Sequence, residues 1–194
     1  MKHIRYIIIT IIIILFSLNI FLNGKIISLK NLIQKVENKA YFYNSLSESV
    51  KFNLNLTYEY QNYLVPDIEV YDLAGKNKQL KKLINRKCLI VRYNEFSCQQ
   101  CIDSLFVCLN SIDPINCIIL GEYRNSTQLG SFYRINQPKY DVFNCKKNIL
   151  PIDSLNIPYL FVMDTNLLIN SFFIPLKEDM QQIETYLNIV SKDL

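Results

Sequence analysis

Nineteen consecutive residues, Tyr6 to Gly24, carry no charge, and no other feature of the sequence restricts fold and location so strongly. As a helix they would reach about 28 Å at ~1.5 Å per residue, close to a hydrocarbon core of ~30 Å. Lys2 and Arg5 precede the run and Lys25 closes it. The exit from Ser17 to Gly24 offers no good pair of small residues for cleavage, and the first cysteine is Cys88, which leaves none for lipidation. The expectation is therefore a retained anchor, or uncleaved signal, over 1–24 that crosses the membrane once through residues 6–24 with its basic start inside; the competing reading is a cleaved signal peptide with a long apolar core. The remainder then faces an oxidising space, where disulfides persist. Few glycines and abundant Ile, Asn and Lys suit an AT-rich bacterial genome. The expected location is thus a bacterial inner membrane, with the C-terminal domain facing the periplasm or outside.

Residues 25–64 read as a juxtamembrane stalk. Ile26, Leu29, Ile33, Val36, Ala40 and Tyr43 are spaced 3, 4, 3, 4, 3, a helical seam. At this length the seam suits a stalk helix leaning on its own domain or on lipid headgroups; the competing reading is a short coiled coil giving a weak homodimer. Asn53 to Thr57 alternates briefly between polar and apolar residues.

From residue 65 to 194 the pattern is that of one globular α/β domain. Pro66–Asp72 alternates like an edge strand, and Lys78–Ile84 suits a short helix. Cys88–Tyr93, Asn116–Leu120 and Pro158–Met163 are compact apolar runs expected as buried strands. Between them, apolar residues at 101, 102, 105, 106 and 109 define a helical face, and Asn125–Ile135 a capped helix. Leu167–Ile174 follows as a strand, and Leu176–Val190 as an amphipathic helix. This order predicts parallel strands extended by an antiparallel pair, with helices on the faces. The excess of 21 Lys and Arg over 17 Asp and Glu is small and scattered, so a nucleic-acid function is not expected. His3 is the one histidine, which excludes His-based triads and two-His zinc sites.

Cys98-Gln99-Gln100-Cys101 lies between a buried strand and a helix. Cys98 should sit at the helix start, where unpaired N–H groups and the helix dipole favour a thiolate. Cys101, one turn later, is placed to resolve a mixed disulfide formed by Cys98. Zinc would need a second Cys-x-x-Cys or histidines, and haem attachment a histidine where Ile102 stands. No metal or cofactor is expected. Cys88, Cys108 and Cys117 read as packed thiols. Cys145, before Lys146-Lys147, reads as a more reactive loop thiol, with a Cys108–Cys145 bridge open as a pairing.

On these residues the chain resembles the thioredoxin superfamily. More narrowly, it resembles its membrane-anchored, extracytoplasmic thiol–disulfide oxidoreductases, the redoxin group that includes those of cytochrome c maturation. The resemblance covers about 66–194: Val65-Pro66-Asp67-Ile68, Leu89–Tyr93, the dithiol, and Ile157-Pro158 through Asp164. It implies a central mixed sheet flanked by helices. It also implies a cis Pro158 beside the dithiol and partner binding through Ile157. The partners implied are a protein disulfide or dithiol and an electron donor or acceptor. The sequence departs from the family in two places. Ser97 stands where the family commonly has Trp, and Arg92 where many members have a buried proton-accepting Asp. Glu95 is the substitute candidate for proton transfer. Arg92 reads either as a strand residue whose head reaches solvent or as a charge favouring the thiolate. The alternative to an enzyme is a tethered thioredoxin-like domain that only binds other proteins.

Overall fold

The computed structural model describes residues 2–146, 148–176 and 179–194, with side chains from Ile14 onward. Helix α1 runs from Lys2 to Tyr60. No proline precedes Pro66, so nothing breaks the helix early. It stops at Asn62, which takes a left-handed backbone (φ 62°). Most of the isoleucine-rich stretch on which the anchor expectation rests has side chains outside the described residues. Among the described residues no helix is long and apolar enough to cross a membrane.

The chain forms two compact units, one ending at Lys51 and one comprising Phe52–Leu194. The second therefore takes in the last turns of α1 as well as residues 65–194. Asn53–Thr57 alternates in sequence yet is helical: Asn53, Leu56, Thr57 and Tyr60, at helical spacing, share the face turned to the core. Leu56 and Tyr60 are buried in the core. Asn53 Nδ2 donates to the Ile174 carbonyl (3.0 Å), and its Oδ1 accepts from Ile174 N–H (2.7 Å). Thr57 Oγ1 donates to the Phe172 carbonyl (2.9 Å).

The remaining elements are β1 (Glu69–Tyr71), β2 (Asn77–Gln79), α2 (Leu80–Leu83), β3 (Cys88–Asn94), α3 (Gln99–Ser111), β4 (Cys117–Glu122), α4 (Ser126–Asn136), β5 (Asp141–Asn144), a 3-10 turn (Pro151–Leu155), β6 (Tyr159–Met163), β7 (Ile169–Phe173) and α5 (Met180–Val190). The sheet order is β2-β1-β5-β4-β3-β6-β7. β3, β4 and β5 are parallel, and β6 runs antiparallel to β3. The expected mixed sheet is thus present, with two differences. β5 was not anticipated, because only Val142 and Phe143 of its four residues are apolar. It also separates β1 from β4, and β2 rather than β1 forms the edge.

Alternation along the strands divides the core. Ile90, Leu120 and Phe161 pack on one face with Leu56, Tyr60 and Ile152. Val91, Ile119 and Leu160 pack on the other with Leu105 and Leu109 of α3, Leu129 of α4, and Ile183 and Leu187 of α5. Side-chain caps set the starts of α4 and α5: Asn125 accepts from Gln128 N–H and Asp179 from Gln182 N–H, each at 3.0 Å.

Asn53 satisfies both backbone groups of Ile174. Its loss leaves a buried donor and acceptor unpaired, so Asn53→Ala should destabilise the unit by about 1–3 kcal/mol. Exposed Asn55→Ala should change stability little. Urea unfolding followed by circular dichroism checks this, and equal midpoints for the two variants would contradict it.

Candidate active site

β3 ends in a turn that its own polar side chains hold closed. Asn94 Oδ1 accepts from Phe96 N–H (2.9 Å) and from the Ser97 hydroxyl (3.1 Å), while Ser97 Oγ accepts from Asn94 N–H (3.0 Å). Asn94 and Ser97 are buried. Ser97 is thus a turn-closing hydroxyl; a tryptophan there could not make these bonds. The turn delivers Cys98 to the N-cap position of α3, where its carbonyl accepts from Ile102 N–H (3.1 Å). Cys98 is exposed and Cys101, one turn further, is half-buried. Ile102, Leu105, Phe106 and Leu109 fix α3 to the core, so the dithiol sits on a rigid helix start. That end of a helix favours negative charge, and α3 has no acidic residue in its first turn to oppose it.

Pro158 is buried and Ile157 half-buried. β6 pairs with β3 in the register Arg92↔Tyr159, which sets Pro158 beside the last residues of β3. Asn94 Nδ2 donates to Asn156 Oδ1 (2.6 Å) across the same gap. The segment before β6 is therefore brought to the strand end that carries the dithiol turn. No peptide bond among the described residues is cis, so Ile157–Pro158 is trans, contrary to the family-based expectation. Trans is the lower-energy isomer of an X–Pro bond by ~0.5–1 kcal/mol.

Arg92 does not reach solvent, which corrects one of its two sequence readings. It is fully buried. Its Nε donates to Asp153 Oδ1 (3.0 Å), Nη2 to Glu122 Oε2 (2.5 Å) and Nη1 to the Cys145 carbonyl (3.3 Å). Burial disfavours the cation, but neighbouring groups led by Asp153 outweigh it, and the Arg92 pKa is raised. Asp153 Oδ1 also accepts from the Tyr159 hydroxyl (3.0 Å). Its Oδ2 accepts from the backbone N–H groups of Ile149 and Leu150. Burial and the nearby Asp153 carboxylate push the Tyr159 phenol well up.

Glu122 and Asp153 are site residues that the sequence reading missed. The available signal was Arg92 itself. A guanidinium within an apolar strand needs carboxylate partners, although spacing does not say which ones. Two carboxylates against one guanidinium make the cluster formally −1.

Glu95 accepts from Arg124 Nε (2.8 Å), and the Arg124 guanidinium lies over the exposed Phe96 ring at 5.8 Å. Glu95, Arg124, Glu122, Asp153, Asn94 and Asn156 are among the residues lining a cavity of about 350 Å³ at this end of the sheet.

The other cysteines are core residues. Burial pushes the Cys88 thiol up to about 12 and raises those of Cys108 and Cys117. Cys145 is not an exposed loop thiol. It is fully buried directly after β5, with its N–H donating to the Gly121 carbonyl (2.7 Å). The neighbouring Lys147 lies outside the described residues. Cys108 and Cys145 belong to the two cores on opposite faces of the sheet, so they do not form the bridge left open by the sequence. Among the described residues no three His, Cys, Asp or Glu side chains group as a metal site would require.

No protein-family model matches the sequence, and no curated protein matches it. Solved structures do match. An Aquifex aeolicus protein assigned as an electron transfer protein superposes with a TM-score of 0.52 at 14% identity, covering 68% of this chain and 95% of its own. A Chlorobium tepidum protein assigned as a thiol:disulfide interchange protein, DsbE, gives 0.52 at 13% identity, covering 66% and 96%. A second Aquifex aeolicus structure, assigned to electron transport, gives 0.51 at 14% identity, covering 68% and 99%. The unit Phe52–Leu194 therefore has a thioredoxin-like fold.

The four core thiols and the helix-start pair should differ in reactivity. The raised thiols of Cys88, Cys108 and Cys117 stay protonated to higher pH, and burial excludes reagent from all four. At about pH 8, near the ordinary thiol pKa, iodoacetamide should modify Cys98 first. Cys88, Cys108, Cys117 and Cys145 should react only after unfolding. Peptide mass spectrometry reads the order, and a core cysteine alkylated as fast as Cys98 would contradict the arrangement.

Proposed function

We propose that this protein exchanges thiols and disulfides with protein partners on the outer side of a bacterial inner membrane, to which residues 6–24 anchor it. The observation that carries the reading is the placement of Cys98, exposed at the start of α3, with Cys101 one turn behind it. The thioredoxin-like fold and the neighbouring thiol:disulfide interchange protein support it. The anchor and its direction rest on the uncharged run and on Lys2 and Arg5.

In the reducing direction the Cys98 thiolate attacks a partner disulfide. A Cys98–partner sulfur bond forms, the partner's own S–S bond breaks, and its second sulfur leaves as a thiolate that takes up a proton. Cys101, having lost its proton, attacks the Cys98 sulfur. The Cys98–Cys101 bond forms, and the partner's first sulfur departs with the electron pair. Two electrons pass from the dithiol to the partner, and the reverse sequence oxidises a partner dithiol. Ile157 and Pro158, at the same end of β3, form the partner-facing edge. Glu95 is the carboxylate proposed to exchange the proton, with Arg124 holding its orientation.

Arg92 favours one other reading, in which the domain binds partners without exchange. A buried ion cluster occupies the position where the sequence resemblance implies a proton-accepting Asp. Trapping separates the two. Cys101→Ser should accumulate a mixed disulfide between Cys98 and a protein partner, removable by dithiothreitol and lost in Cys98→Ser/Cys101→Ser. No adduct, in cells where the protein is abundant and folded, would favour the binding-only domain.

A further inference from the structure

In the unit ending at Lys51, the helix beyond the uncharged run keeps apolar side chains exposed. Sequence spacing alone carries the seam from Ile26 to Tyr43. Because α1 continues unbroken to Tyr60, Ser47 and Val50 take the next two positions of the same repeat. Ile26, Ile33, Ala40 and Ser47 then fall at heptad positions a, and Leu29, Val36, Tyr43 and Val50 at d. Seven of these eight positions are apolar and Ser47 is the polar one; the repeat spans more than three heptads, a length at which the pattern argues for a coiled coil rather than a stalk face. The seam is open: Ile26 is 51% exposed, Leu29 61%, Ile33 49%, Val36 60%, Tyr43 55% and Val50 45%. Leu32, at position g, is also exposed and widens the stripe.

We propose that this face is the contact surface of a parallel, two-stranded coiled coil with a second copy of the chain. A 3.5-residue period keeps a seam turned toward a supercoiled partner of the same period. Ile at two a positions with Leu at a d position favours two strands. The exposed stripe amounts to roughly 650 Å² per helix, so a pair would bury about 1,300 Å², above the ~1,000 Å² a specific interface needs. Lys25 at g and Lys30 at e oppose pairing, since they face each other as like charges. Both are exposed, and the high dielectric of water keeps that repulsion weak. The parallel direction rests on the anchor reading, because two chains leaving one side of one bilayer start at the same height.

The test uses the full chain carrying Cys98→Ser/Cys101→Ser, in membranes of expressing cells, with Ile33→Cys (position a) or Asn38→Cys (position f). Mild oxidation should convert most of the Ile33→Cys chain to a disulfide-linked dimer and leave Asn38→Cys monomeric. Equal yields at both positions would mean random collision and overturn the proposal. So would the absence of dimer at Ile33→Cys, whether that thiol reacts with a water-soluble maleimide (an open monomer face) or is shielded from it (a face against lipid). Carbonate extraction of the same membranes tests the anchor separately. A chain that is released yet still cross-links at position 33 keeps the dimer and removes the anchor. The readout does not depend on the dithiol.

Discussion

A guanidinium fully enclosed beside a β-sheet is tolerable only if every charge it carries is met. Arg92 meets this condition through Asp153, Glu122 and the Cys145 carbonyl. Removing one partner of such a buried pair typically costs about 3–5 kcal/mol, because the other is left uncompensated. The cluster ties together the elements that form the candidate-site end of the domain: β3 through Arg92, β4 through Glu122, the 3-10 turn through Asp153, and β6 through Tyr159. The turn that carries Cys98 leaves β3 two residues beyond Arg92. The segment holding Ile157 and Pro158 enters β6 from Asp153. The geometry of the candidate site therefore follows from how this one cation is neutralised.

The same cluster bears on the chemistry. Where the sequence resemblance implies a buried proton-accepting Asp, this chain has a cation balanced by two carboxylates, one of them also held by two backbone N–H groups and a tyrosine hydroxyl. Asp153 is committed to structure. Glu95 and Glu122 line the cavity at the sheet's end and are its other carboxylates. Four of the six cysteines are withdrawn into the two cores, which leaves the helix-start pair to carry any exchange.

Local signals made much of this legible. Cys98 and Cys101 announce themselves by spacing, and the apolar run before them and the helical face after them place the pair at a strand–helix junction. β3, β4 and β6 follow from their compact apolar runs, and α3 and α5 from helical periodicity. The features that escaped depend on distant partners. Glu122 and Asp153 are ordinary acids until Arg92 lies beside them, 30 and 61 residues away in sequence. β5 is too short and too polar at its ends to show a period, and it is a strand because β4 and β1 flank it. Asn53–Thr57 looks like a strand and is a helix whose face of Asn53, Leu56, Thr57 and Tyr60 meets the core and the backbone of Phe172 and Ile174. Ser97 looks like a missing tryptophan and is instead the hydroxyl that closes the turn.

The proposed function requires that Cys98 and Cys101 form one reversible redox couple. Equilibrating the full protein against glutathione or dithiothreitol buffers of graded potential, and scoring Cys98 and Cys101 by thiol labelling and mass spectrometry, tests it directly. The account predicts that the two thiols disappear together in a single two-electron transition, at a potential within the range of about −270 to −120 mV spanned by thioredoxin-fold reductants and oxidants. Independent oxidation of the two sulfurs, or no Cys98–Cys101 disulfide at any potential, would contradict it.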